Sequence, residues 1–176
     1  MLEFGTGLDG PCGIRYPRAN IPDREDVAHG NPIELGKAEV LREGKDGVLF
    51  AYGQMVYPCL EAAEQLGSEG IEVAVVNARF AKPVDVELVS RLLAEQPFLM
   101  TVEDHNLEGG FGSAVIEHGV TAGADVTKVV RLGIPDRFIE HGNREQLLAD
   151  LGLDVPGIVR SVRSLTESHA HGVAKA

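Results

Sequence analysis

The residues most suggestive of chemistry lie together in "EDHNLEGGFGS", from Glu103 to Ser113. An apolar run, "FLMTV", precedes them and reads as a buried strand, and "AVIEHGV" follows and reads as a helix. Glycine-rich turns between a strand and a helix hold phosphate in many proteins, through backbone amides at the helix start. Here neither nucleotide motif is complete: Val115 stands where a dinucleotide fingerprint needs its third glycine, and there is no G-K-[ST]. Glu103, Asp104 and Glu108 would also compete with a phosphate for the same amides. Gly110 and Gly112 are therefore expected to permit close backbone approach, between elements or between chains.

Metal and nucleophile chemistry find less support. Glu103 and Asp104 are adjacent, so in an extended chain they face opposite ways and cannot both ligate one ion with His105. His169 and His171 fall in a polar tail, residues 166–176, expected to be flexible. Ser113 is not framed by G-x-S-x-G, and neither Cys12 nor Cys59 has a histidine near it in sequence. Cys59 shares an apolar helical face with Val56, Leu60 and Ala63, which predicts a buried, inert thiol. The cysteine spacing suits neither a zinc ribbon nor a disulfide framework, and a reducing cytoplasm is the expected compartment. No catalytic residue, metal ligand or cofactor contact is assigned to this chain by its own motifs.

"RYPRAN" carries the remaining ligand candidate. Pro17 ends a short strand, Gly13 to Tyr16, so Arg18 projects from its carboxyl edge, where α/β sheets hold ligands. A guanidinium fork there suits a phosphate monoester, and an ion pair with a neighbouring acid suits the position equally well.

The elements that must position these residues follow a regular rhythm. Residues 21–35, opening "IPDREDVAHGNP", have no apolar period and read as a linker. "KAEVLRE" alternates like a half-exposed edge strand. "GVLFAYG", "IEVAVVNA", "FLMTV" and "TKVVRLGI" are further strands, the first three near-continuously apolar. Between them lie helices over Gln54–Ser68, behind an Asp85 cap, and over Phe111–Ala122. Asn143 with Gln146 begins a fourth helical stretch, and Asp154 with Pro156 opens a terminal one that buries Ile158, Val162 and Leu165. This alternation predicts a three-layer α/β/α sandwich around a mostly parallel sheet with right-handed crossovers.

Composition excludes some partners. With 176 residues, 44% apolar and 24% charged, the chain can bury a substantial core. No run of about 18 apolar residues exists to span a membrane, and "MLEFGTGLDG" does not read as a signal peptide. The net charge of −11, without a basic cluster, argues against nucleic acid and anionic lipid.

Read in order, "RYPRAN", "GKAEVLREG", "YGQMVYPCLEAAEQL", "VNARFAKPVD", "TVEDHNLEGGFGSAV" and "LGIPDRFIEHGNREQLLADLGLD" resemble the C-terminal third of the 1-deoxy-D-xylulose-5-phosphate synthases. The segment from Gly47 to Asp85 is also similar to transketolases and to the beta subunits of 2-oxo acid dehydrogenases. The resemblance implies a homodimer of three-domain chains using thiamine diphosphate and magnesium. Such an enzyme joins a two-carbon unit from pyruvate to D-glyceraldehyde 3-phosphate, releasing carbon dioxide. It implies that residues 1–20 end a pyrimidine-binding domain and that residues 36–165 form a transketolase C-terminal-type domain. That domain would hold a five-stranded mixed sheet with "GKAEVLRE" as its antiparallel edge. Arg18 matches the family arginine that holds the substrate phosphate, although Ala19 stands where the family has glycine. No G-D-G motif for magnesium and diphosphate occurs, and the family's activating glutamate belongs to the middle domain. The chain alone is therefore expected to be inert, contributing scaffold, dimer surface and one phosphate contact. A split-gene subunit and a stand-alone interaction module are the other readings.

Overall fold

A computed structural model describes residues 1–16 and 32–173. Five strands form one sheet: β1 (Glu39–Arg42), β2 (Val48–Ala51), β3 (Ala74–Asn77), β4 (Leu99–Asn106) and β5 (Val129–Ile134). Their spatial order is β1-β3-β2-β4-β5, with β1 antiparallel at one edge and every other pairing parallel. The expected five-stranded mixed sheet with an antiparallel edge strand is thus present.

Strand alternation builds the two outer layers. Leu49, Ala51, Val75, Met100 and Val102 point to one face, against α2 (Val56–Ser68) and α6 (Val155–Val173). Val48, Phe50, Val76 and Leu99 point to the other, against α3 (Val86–Glu95) and α4 (Phe111–Thr121). Because β2, β3 and the first half of β4 are covered on both faces, nearly every residue there is apolar, as a buried parallel sheet requires. Cys59 lies wholly within the first layer, and burial raises its thiol pKa. Cys12 is exposed. A maleimide should therefore label Cys12 in the native protein, with Cys59 at least ~100-fold slower until denaturant is added. Equal rates in quantitative mass spectrometry would contradict the packing described.

Helix starts are fixed by side chains. Asp85 accepts from the Leu88 amide at 3.1 Å, as a cap should, and its other oxygen accepts from the Ala38 amide at 3.0 Å. One carboxylate thereby ties α3 to the entrance of β1. Lys37 closes over this junction, 2.6 Å from Glu87, and that hydrogen bond, with Asp85 nearby, raises its pKa. Asn143 caps α5 (Arg144–Asp150) through the Glu145 amide, and Asp154 caps α6 through the Gly157 amide. The α6 assignment runs to Val173, beyond the Leu165 boundary read from the sequence, and the side chains of His169 and His171 lie outside the described residues.

The first residues take a different form from the one expected. A one-turn helix, α1 (Leu2–Thr6), precedes residues 11–16, which form neither helix nor strand; no second strand lies beside Gly13–Tyr16 among the described residues. The segment rests on the main body instead. Phe4 meets Phe80 edge-on at 5.8 Å, and Arg15 donates to the Asp104 carbonyl oxygen at 3.1 Å.

Candidate functional site

The glycine-rich turn is shorter than its sequence suggests, because β4 continues through Asn106. Its alternation continues too. Leu99, Thr101 and Glu103 share the α3/α4 side, while Asp104 turns to the other and meets Arg144 of α5 at 2.6 Å. The two adjacent carboxylates thus serve different helices.

Glu103 is completely buried. Its Oε2 accepts from the Phe111 amide at 2.7 Å and its Oε1 from the Gly112 amide at 2.8 Å. These are the first amides of α4, the groups that would otherwise hold a phosphate. The anion site is complete, and it is occupied by the chain's own carboxylate. A charge opposite the positive end of the helix macrodipole, bonded twice, can be buried at acceptable cost. Competition from acidic neighbours was legible in the sequence; that Glu103 alone wins, from inside the core, was not.

The glycines fit this arrangement closely. A Cβ on Gly110 would stand 2.1 Å from the Asn106 carbonyl oxygen and 2.4 Å from Glu103 Oε2. On Gly112 it would stand 2.5 Å from Thr101 Oγ1. Ser113 is engaged as well: its hydroxyl donates to the Leu107 carbonyl oxygen at 2.8 Å and accepts from Arg131 at 2.9 Å. A serine so placed holds the turn and is not poised as a nucleophile. His105 and Glu108 point away from this network and are exposed.

A cleft of about 950 Å³ opens beside the turn, at the carboxyl ends of β2, β3 and β4. The chain leaves β2 for one side of the sheet and returns through β4 on the other, so this is a topological switch point, where open α/β sheets hold ligands. Tyr52, Gln54, Asn77 and Arg79 line it from the sheet, and the α1 segment forms the facing wall. Arg79 adopts φ 57°, a left-handed conformation costly for a non-glycine residue. Its guanidinium meets buried Glu39 at 2.5 Å and the Pro32 carbonyl oxygen at 3.2 Å, anchoring the strained backbone. Arg79 escaped the sequence reading; no pattern within "VNARFAKPVD" signals a left-handed arginine. Arg18, the one assigned phosphate contact, lies outside the described residues.

The family description "Transketolase, C-terminal domain" matches residues 36–158. The chain belongs to the transketolase C-terminal domain family. Relatives extend the match beyond that domain. A 1-deoxy-D-xylulose-5-phosphate synthase of Geobacter metallireducens is 47% identical over 164 residues, which are 93% of this chain and 26% of that protein. A synthase of Rhodopirellula baltica is 45% identical over 93% of this chain and 25% of its own length. The chain thus spans about a quarter of the relatives it matches and corresponds to their C-terminal part. Among solved structures, a chain described as "Split gene transketolase, inactive beta4 tetramer" superposes with a TM-score of 0.69 at 34% identity. It covers 77% of this chain and 44% of that one. Within a transketolase C-terminal domain, a glycine turn closed by its own glutamate is a structural joint.

Proposed function

We propose that this chain is the C-terminal portion of a cytoplasmic, homodimeric 1-deoxy-D-xylulose-5-phosphate synthase. The complete enzyme would condense pyruvate with D-glyceraldehyde 3-phosphate and release carbon dioxide, feeding isoprenoid and thiamine synthesis. Thiamine diphosphate with magnesium supplies the carbanion chemistry when bound, in the part of the enzyme that precedes this chain.

The observation that carries the reading is the reach of the similarity: 47% identity over 93% of the chain takes in the residues ahead of the family domain as well as the domain itself. The structure supports the division of labour. The helix start nearest the glycine turn is filled by Glu103, which leaves no room there for a diphosphate. This chain's own contributions are the sheet scaffold, the surface that other parts of the enzyme meet, and Arg18 for the aldose phosphate. A guanidinium makes bidentate, charge-assisted bonds to a phosphate monoester and so holds the acceptor's aldehyde in register. A split-gene arrangement is the second reading, favoured by the likeness to the split-gene transketolase chain.

The test is a fusion in which the preceding part of the Geobacter metallireducens relative is joined ahead of this chain. The fusion should make the five-carbon sugar phosphate from both substrates, and this chain alone should make none. Arg18→Ala in the fusion should raise KM for glyceraldehyde 3-phosphate at least ~10-fold, with KM for pyruvate little changed. Product from the chain alone, or an unchanged KM for the aldose, would overturn the assignment.

A further inference from the structure

The large apolar side chains left exposed are not spread evenly. Among the described residues, Val120 alone sits at the end of the sheet where the parallel strands begin, at the close of α4. The others gather at the opposite edge, where those strands end. Leu2, Ile14 and Tyr16 belong to the segment lying on that edge, Leu35 and Val86 flank the Asp85 junction, and Phe138 is wholly exposed on the loop after β5. Beside Phe138 is a second cleft, of about 380 Å³, floored by Ile134, Leu147, Leu148 and Leu151. Asp104 lines this cleft and the larger one alike, so the two form one continuous face.

Two carboxylates at this face are already neutralised in pairs. Asp104 is held by Arg144 at 2.6 Å, and Glu39 by Arg79 at 2.5 Å. Those two pairs and the large apolar groups lower the cost of desolvating this face in a chain of net charge −11.

Resting on the synthase reading above, we infer that the strand-end face, from the α1 segment to Phe138, is the docking surface for the preceding, cofactor-bearing part of the enzyme. Length and direction select this occupant. About three quarters of each relative lies outside the matched region and ahead of it. Met1 itself lines the larger cleft, so a polypeptide entering the matched region arrives at this face. Phe138 is the anchor expected at such a contact: a fully exposed aromatic beside an apolar groove.

Hydrogen exchange on the fusion described above, compared with the chain alone, tests this directly. The peptide covering residues 134–142 should exchange at least ~10-fold more slowly in the fusion. Phe138→Glu should abolish that protection and lower activity at least ~10-fold, whereas Val120→Glu should change neither. An active fusion whose 134–142 peptide exchanges as it does in the chain alone would overturn the docking face and leave the function intact. Protection that appears in the chain alone and grows with its concentration would assign the face to a second copy, and so would also overturn it. An inactive fusion counts against the function, and the exchange rates then decide the face by themselves.

Discussion

Glu103→Ala should cost the domain about 3 kcal/mol, lowering its melting temperature by about 10 °C. The carboxylate is inaccessible to water and is the acceptor for two backbone amides, those of Phe111 and Gly112. Alanine removes both acceptors together and leaves a void facing the first turn of α4. Each buried donor left without a partner carries a penalty of about 1–3 kcal/mol, and lost contacts around the void add to it. Glu103→Gln separates charge from shape: one oxygen still accepts, but an amide NH2 group now opposes a backbone N–H. It should fall between wild type and alanine, at about half the loss. Denaturant unfolding followed by circular dichroism measures all three proteins. If alanine proves as stable as wild type, the carboxylate is not holding the helix. A gain in phosphate affinity in the alanine protein is expected as the helix start empties, and isothermal titration with inorganic phosphate would detect it.

That joint also marks where the sequence stops being legible. Strands β2 and β3 and the first half of β4 are apolar runs whose burial on both faces follows from composition alone. Asp85 declares itself as a cap because the partner amide is three residues away, and Leu88, Val89, Leu92 and Leu93 line one helical face and are all buried. The alternation in "KAEVLRE" marks an edge strand, and β1 is one. Glu103 is different. Its partners lie eight and nine residues on, across a turn, so no local period announces them, and a run of polar residues after "FLMTV" looks like loop. The same holds for Arg79, whose partner Glu39 stands forty residues earlier on the antiparallel edge. Residues 13–16 fail for another reason. Their sequence favours a strand, but a strand needs neighbours to pair with, and the described chain gives Gly13–Tyr16 none. The segment takes what contacts the sheet edge offers, through Phe4 and Arg15.

The glycines of the turn allow a sharper test, because two adjacent ones are present for different reasons. Gly109 has φ 69°, and a Cβ there would meet nothing within 4 Å. Gly110 has φ −80° and ψ −169°, ordinary extended backbone, but no space for a side chain. Gly109→Ala should therefore cost only the left-handed penalty, about 1 kcal/mol. Gly110→Val should cost at least ~3 kcal/mol, since the nearest atom, at 2.1 Å, is a backbone carbonyl oxygen belonging to the end of β4. That oxygen belongs to the last residue of β4, next to the Leu107 amide that donates to the Ile134 carbonyl oxygen at 2.9 Å, and the next atom met is the Glu103 carboxylate that caps α4. A side chain at position 110 thus attacks the strand and the helix together, which is why its effect should exceed that of its neighbour several-fold. Unfolding free energies for both variants, with oligomeric state by light scattering, separate the causes. Were Gly110→Val to keep wild-type stability and assembly, the close approach of turn to strand would be wrong. Equal losses at both positions would mean that backbone conformation, and not the space beside Glu103, governs the joint.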